Sequence, residues 1–112
     1  MTDQNWMFAL QDAIDKLPGD EAPFRLHYGL RHGTMKVGLY APRGEDNQTP
    51  HAQDELYIVV SGAGEFVKNG IRSPFKAQDV IFVEAGATHR FEKFSEDFAT
   101  WVVFWGAQGG ES

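Results

Sequence analysis

The sequence predicts an all-β fold of antiparallel strands preceded by a short N-terminal helix. From residue 24 onwards, apolar and polar side chains alternate with a period of two, which is typical of half-buried strands. Short apolar runs then follow one another with turn residues between them, which indicates a β-sandwich or barrel. Helical periodicity is confined to residues 3–17.

The predicted helix spans residues 3–17 and ends at Pro18-Gly19. Its apolar side chains recur at the spacing of one helix face: Trp6, Leu10, Ile14 and Leu17. Because a helix of this length is marginal alone, we expect this face to pack on the main body or on a second subunit.

Eight strands are predicted after the helix. The first two cover residues 24–30 and 35–39, and residues 41–49 form a loop. The other six cover residues 55–61, 65–68, 71–75, 80–83, 89–94 and 98–105. Asn69-Gly70 is a strong signal for a two-residue hairpin, because both residues tolerate a positive φ.

The length of 112 residues predicts a single domain. We divide it into an N-terminal helix and lead-in (1–20), a β-barrel (24–105) and a Gly-rich flexible tail (106–112). A core of this size is modest, so a partner subunit is a plausible addition.

Composition and charge exclude several kinds of site. The chain has no cysteine, which excludes disulfides, thiolate zinc sites and cysteine nucleophiles. Its formal net charge of −6 argues against a nucleic-acid partner. The N-terminus does not resemble a signal peptide, and no apolar run approaches the ~20 residues of a membrane span. We therefore expect a cytoplasmic protein without membrane or nucleic-acid partners.

Three residues form a candidate metal site. His51 and Glu55 are four residues apart at the entrance of an apolar strand, and His89 begins a later strand. If the first segment is extended, residues 51, 53 and 55 share one face, which points inward in a small barrel. Two imidazoles and one carboxylate suit a divalent iron, manganese, nickel or zinc ion and leave coordination positions open.

Residues 46–66 resemble the first conserved motif of the cupin superfamily. That motif has two histidines flanking one residue, then a glutamate and, after six residues, a glycine. His51, Glu55 and Gly62 match the second histidine, the glutamate and the glycine. Thr49 stands at the position of the first histidine.

Residues 78–89 resemble the second cupin motif. Gly86 and His89 match its second glycine and its histidine. Three positions depart from the motif: Gln78 replaces a glycine, Glu84 a proline and Lys93 an asparagine.

The resemblance covers residues 34–105 and implies an antiparallel jelly-roll barrel, with a metal between its sheets and often a homodimeric assembly. It implies that His51, Glu55 and His89 are metal ligands. It is a poor guide to reaction, because the superfamily includes dioxygenases, isomerases, decarboxylases and proteins that only bind ligands.

Three residues are candidates for the position of the missing first histidine. Gln48 is our choice, because its side chain is long enough to reach from the loop and its carbonyl oxygen suits a borderline ion. Gln53 competes if it shares the face of His51 and Glu55. Thr49 is too short for a direct bond but can hold a bound water.

We predict a small metal-binding cupin that holds a small organic molecule at a divalent metal inside the barrel, with an oxygenase or isomerase type of reaction as one form of it. No catalytic residue is assigned. One alternative is a non-catalytic module that binds a small molecule or a sugar through its aromatic wall. Another is a structural role in which a dimer face, formed by the helix and an edge strand, is the functional surface.

Overall fold

Eight strands and one helix make up residues 6–111, which are the residues that the computed structural model describes. The elements are α1 (Leu10–Asp15), β1 (Leu26–His32), β2 (Met35–Tyr40), β3 (Asp54–Ser61), β4 (Ala63–Lys68), β5 (Ile71–Lys76), β6 (Val80–Val83), β7 (His89–Glu92) and β8 (Ala99–Trp105). The predicted all-β class and all eight predicted strands are confirmed.

The strands form two antiparallel sheets. One sheet has five strands in the order β1-β2-β8-β3-β6, and the other has three in the order β5-β4-β7. The inner faces carry interlocking rings, with Phe91 lying 4.7 to 5.3 Å, centroid to centroid, from the rings of Tyr57, Phe66, Phe75 and Phe98. Polar side chains that share these inner faces therefore project between the two sheets.

The turns follow the predicted chemistry. Asn69 and Gly70 both have positive φ, 50° and 82°, as the two-residue connection of β4 and β5 requires. Gln78 and Lys93 also have positive φ, 77° and 51°. Residues other than glycine and asparagine rarely adopt this conformation. The positive φ of Lys93 ends the extended strand β7 at Glu92, whereas the predicted strand ran to residue 94.

The helix is shorter than predicted and buries a different residue. It begins at Leu10 rather than at residue 3, and the predicted start at residues 3–5 lies outside the described residues. Ala13 is fully buried, whereas Trp6 and Ile14 are exposed. The segment before the helix places the Phe8 ring where a side chain on Gly29 would otherwise lie, so tertiary packing overrides the helical pattern there.

The C-terminal segment makes hydrogen bonds with the start of β3. The backbone N–H of Glu111 donates to the Asp54 carboxylate at 2.9 Å, and that of Gly109 donates to the Ala52 carbonyl at 2.7 Å. Whether this tail is flexible, as the sequence predicts, stays a prediction. Within residues 6–111, no helix has the length and apolar character needed to cross a membrane.

Candidate metal centre

His51, Glu55 and His89 converge between the two sheets. Each offers one nitrogen or oxygen atom, and these atoms lie within 4.8 Å of one another. A coordination sphere with bonds of about 2.1 Å is about 4 Å across, so the three atoms span a distance of the right order for a single ion. Of the described residues, this is the one group of three histidine, cysteine or acidic side chains that meets in this way.

Strand alternation directs Glu55 and His89 inward. Glu55 lies on β3 with Tyr57 and Val59 on the same side, and all three side chains are about 1% exposed. His89 precedes Phe91 on the inner side of β7. The two strands belong to different sheets, so the carboxylate and the imidazole meet across the space between the sheets.

His51 lies on the loop before β3 and is placed by two contacts. Its carbonyl accepts a hydrogen bond from the N–H of Gly86 at 2.8 Å, which joins this loop to the turn before β7. Its ring packs edge-on against Phe104, with 4.9 Å between centroids. Its Nε2 then lies 3.8 Å from Oε1 of Glu55.

Three buried polar atoms of this group have no hydrogen-bond partner: Oε1 and Oε2 of Glu55 and Nε2 of His89. Nδ1 of His89 lies 2.9 Å from the Ala87 carbonyl, so Nδ1 carries a proton and Nε2 of the neutral ring has a free lone pair. That lone pair is 2.9 Å from Oε1 of Glu55. Two acceptors this close require a cation between them, which is either a proton on the imidazole or a metal ion.

The pKa shifts of the two histidines have different directions. Burial lowers the pKa of His51, and the positive charge of Lys36 contributes in the same direction. Burial also disfavours the protonated form of His89, but its contacts with Glu55 and the Ala87 carbonyl outweigh it and raise the pKa. A neutral imidazole is the form that binds a metal, and the lowered pKa of His51 favours that form. The raised pKa of His89 favours a proton on its ring, next to Glu55, when no metal is bound.

Gln48 lies beside these residues with its amide oxygen towards them. That oxygen is 3.2 Å from Nε2 of His51 and accepts a hydrogen bond from the Tyr57 hydroxyl at 2.9 Å. The Gln48 amide nitrogen donates to the Asp46 carboxylate at 2.7 Å. Because a carboxylate only accepts, this bond fixes which end of the amide faces the site.

Asp46 holds this arrangement, a role that no pattern in the sequence predicted. Its buried carboxylate also accepts hydrogen bonds from the Tyr40 hydroxyl at 2.6 Å and from the N–H of Phe91 at 2.8 Å. Burial, followed by the charge and hydrogen bond of Asp46, raises the pKa of the Tyr40 hydroxyl, which keeps it protonated as a donor. Asp46 thus connects the loop of Gln48 to β2 and to the strand of His89.

The other two candidates for the fourth metal ligand are Gln53 and Thr49. The Gln53 side chain donates to the carbonyls of Thr34 and Gly106, at 3.1 and 2.9 Å, so it does not join the group. The expected shared face of residues 51, 53 and 55 fails because β3 begins only at Asp54. Thr49 lines the adjoining cavity.

A small cavity of about 120 Å³ opens beside His51 and Glu55. An engineered cavity of about 150 Å³ is known to hold benzene, so this space suits a small molecule. Its polar lining includes His51, Glu55, Gln48 and Thr49, and its other walls are Phe24, Leu26, Tyr28, Tyr40, Tyr57, Val102 and Phe104.

The residues fit a divalent metal. The donor set of two imidazole nitrogens, one carboxylate and one amide oxygen is typical of sites for borderline first-row ions, and the unpartnered buried atoms of Glu55 and His89 are those that would bind it.

A comparison with protein families agrees with this geometry. The family model for the cupin domain matches residues 36–105 of the chain. The chain belongs to the cupin family.

Similar proteins extend the comparison. This cupin is 43% identical to the Streptomyces coelicolor protein SCO3923 over 77 residues, which are 67% of this chain and 73% of the relative. Its fold is similar to a cupin 2 conserved barrel domain protein from Salinispora arenicola (TM-score 0.69, 22% identity, 90% of this chain and 88% of the other). It is also similar to Streptomyces PAC13 solved with uridine (TM-score 0.67, 17% identity, 100% and 86% covered). At these identities, the two structures show the fold alone.

Two departures from the cupin motifs have a visible consequence. Gln78 and Lys93, which replace a glycine and an asparagine of the motif, keep the positive φ for which those residues are best suited. Both positions therefore have a backbone conformation that suits the motif's glycine and asparagine, although the side chains differ.

Proposed function

We propose that this cupin binds a divalent transition metal through His51, Glu55 and His89, with the amide oxygen of Gln48 as the fourth protein ligand. The observation that carries the proposal is the convergence of one possible ligand atom each from His51, Glu55 and His89 within 4.8 Å, together with the buried Oε2 of Glu55, which has no hydrogen-bond partner. Leaving such a buried acceptor unsatisfied costs about 1 to 3 kcal/mol, and more for a charged group, which a bound cation would offset.

We further propose that a small organic molecule occupies the cavity and meets the metal there. When bound, such a metal acts as a Lewis acid or activates oxygen. The chain's own contribution is to bind and orient the ligand and to exclude water. The apolar walls take up the ligand's carbon skeleton, while the neutral Tyr57 hydroxyl holds Gln48 in place. Burial raises the pKa of Tyr57, so this hydroxyl remains a donor at neutral pH.

A metal titration tests the first part. Purified protein is stripped with a chelator, dialysed against manganese, iron(II), nickel or zinc, and analysed for metal content. We expect one ion per chain in the wild type and little in a His89→Ala variant. His27→Ala is a matched control, because His27 packs on Phe8 outside the group. Absence of bound metal in the wild type with every ion offered would refute the proposal.

The second candidate is a binding module without catalysis. The largely apolar lining of the cavity favours it, because such walls bind a ligand whether or not a metal is present. A double variant, His51→Ala with His89→Ala, separates the two: unchanged ligand affinity favours the module, and lost affinity favours the metal-dependent site.

A further inference from the structure

Two cations lie close to an aromatic wall of the cavity, the ring of Tyr28. Arg31 on β1 and Lys36 on β2 are direct partners in the register of the two strands, so their side chains project to the same face. Both reach over the ring of Tyr28, with the guanidinium carbon of Arg31 at 4.9 Å and the ammonium of Lys36 at 5.2 Å from its centroid.

The same face continues into the candidate metal centre. The Lys36 ammonium also lies 5.3 Å from the ring centroid of Phe104. Phe104 contacts the ring of His51 edge-on, and both Tyr28 and Phe104 line the cavity. The two cations therefore contact rings that line the cavity and, through Phe104, lie one ring away from His51.

Neither cation is paired with an acidic side chain of the described residues. The lysines and arginines that do pair with an acid are Arg25, Arg43, Lys68, Arg72, Lys76 and Lys93.

This arrangement is unfavourable without an anion. Like charges directly opposite on neighbouring strands destabilise a sheet, and Lys36 is half-buried, which removes part of its hydration. The chain carries 16 acidic residues against 10 basic ones, yet within residues 6–111 none forms an ion pair with Arg31 or Lys36. Uncompensated charges of one sign at a cleft attract and orient a ligand of the opposite sign.

We propose that Arg31 and Lys36 bind a carboxylate of the small molecule that occupies the cavity, while the other end of that molecule lies at His51, Glu55 and His89. This inference rests on the proposed function and adds the ligand class to it: an organic acid with a second polar group. The small volume of the cavity favours a short acid over a bulky one.

The test compares acids that differ in one charge. Oxaloacetate, 2-oxoglutarate and 2-oxoadipate are titrated into manganese-loaded protein by calorimetry, each beside its monoacid analogue: 2-oxobutanoate, 2-oxopentanoate and 2-oxohexanoate. The series varies the spacing between the two ends. We expect at least one diacid to bind about tenfold more tightly than its monoacid, the size of effect that one well-placed charge contact provides.

Variants assign that preference to the two cations. Lys36→Met and Arg31→Met keep an unbranched apolar side chain over Tyr28, and the double variant should bind diacid and monoacid equally. Arg90→Met is the matched control, because Arg90 is exposed on the outer side of β7 and forms no ion pair with the described residues. This variant should keep the preference for the diacid. No preference for any diacid in the wild type, or a preference that persists in the double variant, would overturn the proposal.

Failure of the metal site can be recognised separately. Metal content is measured first for every variant, and Lys36→Met should bind one ion as the wild type does. If the wild type binds no metal, the proposed function fails, and the same titrations on metal-free protein still test the cation pair, with the same expected loss of diacid preference in the double variant.

Discussion

Nε2 of His89 lies 2.9 Å from Oε1 of Glu55, with both side chains about 1% exposed. The imidazole is held from its other side by the Ala87 carbonyl, at 2.9 Å from Nδ1. A buried carboxylate next to an imidazole lone pair is stable only with a cation between them. That cation is a proton on the imidazole or a metal ion that both residues bind, and metal analysis distinguishes the two.

Glu55→Gln should abolish metal binding while the protein still folds. The substitution keeps the side-chain volume but removes the charge and one of the acceptor atoms, so we expect metal affinity to fall by at least 100-fold, beyond the 10- to 100-fold typical of residues that only support ligands. Competition with a chromophoric chelator measures the affinity, and circular dichroism checks the fold. Wild-type affinity in this variant would show that Glu55 is not a ligand.

Asp46→Asn should weaken metal binding without touching a ligand directly. The introduced amide offers one acceptor where the carboxylate offers two, so the Gln48 amide is no longer fixed in one orientation. We expect metal affinity to fall about tenfold and the free energy of unfolding of the metal-free protein to fall by about 1 to 3 kcal/mol. Chelator competition and urea unfolding measure the two effects.

Tyr40→Phe is the control for that variant. It removes one donor to Asp46 and leaves the contacts with Gln48 and Phe91 in place. We expect a loss of stability of about 0.5 to 1.5 kcal/mol with metal affinity almost unchanged. Equal losses of metal affinity in both variants would mean that Asp46 acts through overall stability and not through Gln48.

Asp54 should make folding stability depend on pH. Its carboxylate accepts hydrogen bonds from the N–H groups of Glu111 and Ala85, which lower its pKa below the ordinary value. Since the pKa is lower in the folded than in the unfolded state, the stabilisation is present above about pH 4 and is lost as the pH falls through the folded-state pKa.

Asp54→Asn tests this dependence. The variant should be less stable than the wild type at pH 7, and the difference should narrow at pH 3, as measured by urea unfolding at both values. A difference that is the same at both pH values would exclude ionisation of Asp54 as its source. Glu96→Gln is a control, because Glu96 is exposed and its side chain makes no hydrogen bond or ion pair with the described residues. This variant should leave the free energy of unfolding unchanged at both pH values.

Gln78→Gly and Lys93→Gly should stabilise the protein. Both residues are exposed and have positive φ, 77° and 51°, and glycine removes the steric cost of that conformation. We expect a gain of about 0.5 to 1 kcal/mol for each, after the greater flexibility of glycine in the unfolded chain is counted. Thermal unfolding measures the gain; Arg72→Gly, inside β5 and outside the positive-φ positions, should instead destabilise.

The predicted strands matched the observed ones because each carries its own evidence in the chain. Residues 80–83 are a short continuous apolar run and form β6 with the same bounds, and Asn69-Gly70 marks its hairpin through backbone preferences alone. The helix was predicted less well, because the burial of Phe8 against Gly29 depends on strand β1, which no local pattern in residues 3–17 reveals.

The candidate site shows the same division. His51, Glu55 and His89 were recognisable by residue type and by their resemblance to the cupin motifs, and they do converge. Gln53 was wrongly expected beside His51 and Glu55, because the alternation that placed it there requires an extended strand. Gln53 lies one residue before the start of β3 at Asp54. Asp46 carried no signal, since its bond to the N–H of Phe91 joins residues 45 positions apart.

The sequence by itself determined the class of fold, the positions of the strands along the chain and the three residues suited to a metal. Periodicity, turn residues and ligand chemistry are local properties. Only the tertiary structure decided that Asp46 orients Gln48, that His51, Glu55 and His89 converge, and that Arg31 and Lys36 lie over rings that line one cavity. These depend on distances between strands that are far apart in the chain, and the packing of the two sheets sets those distances.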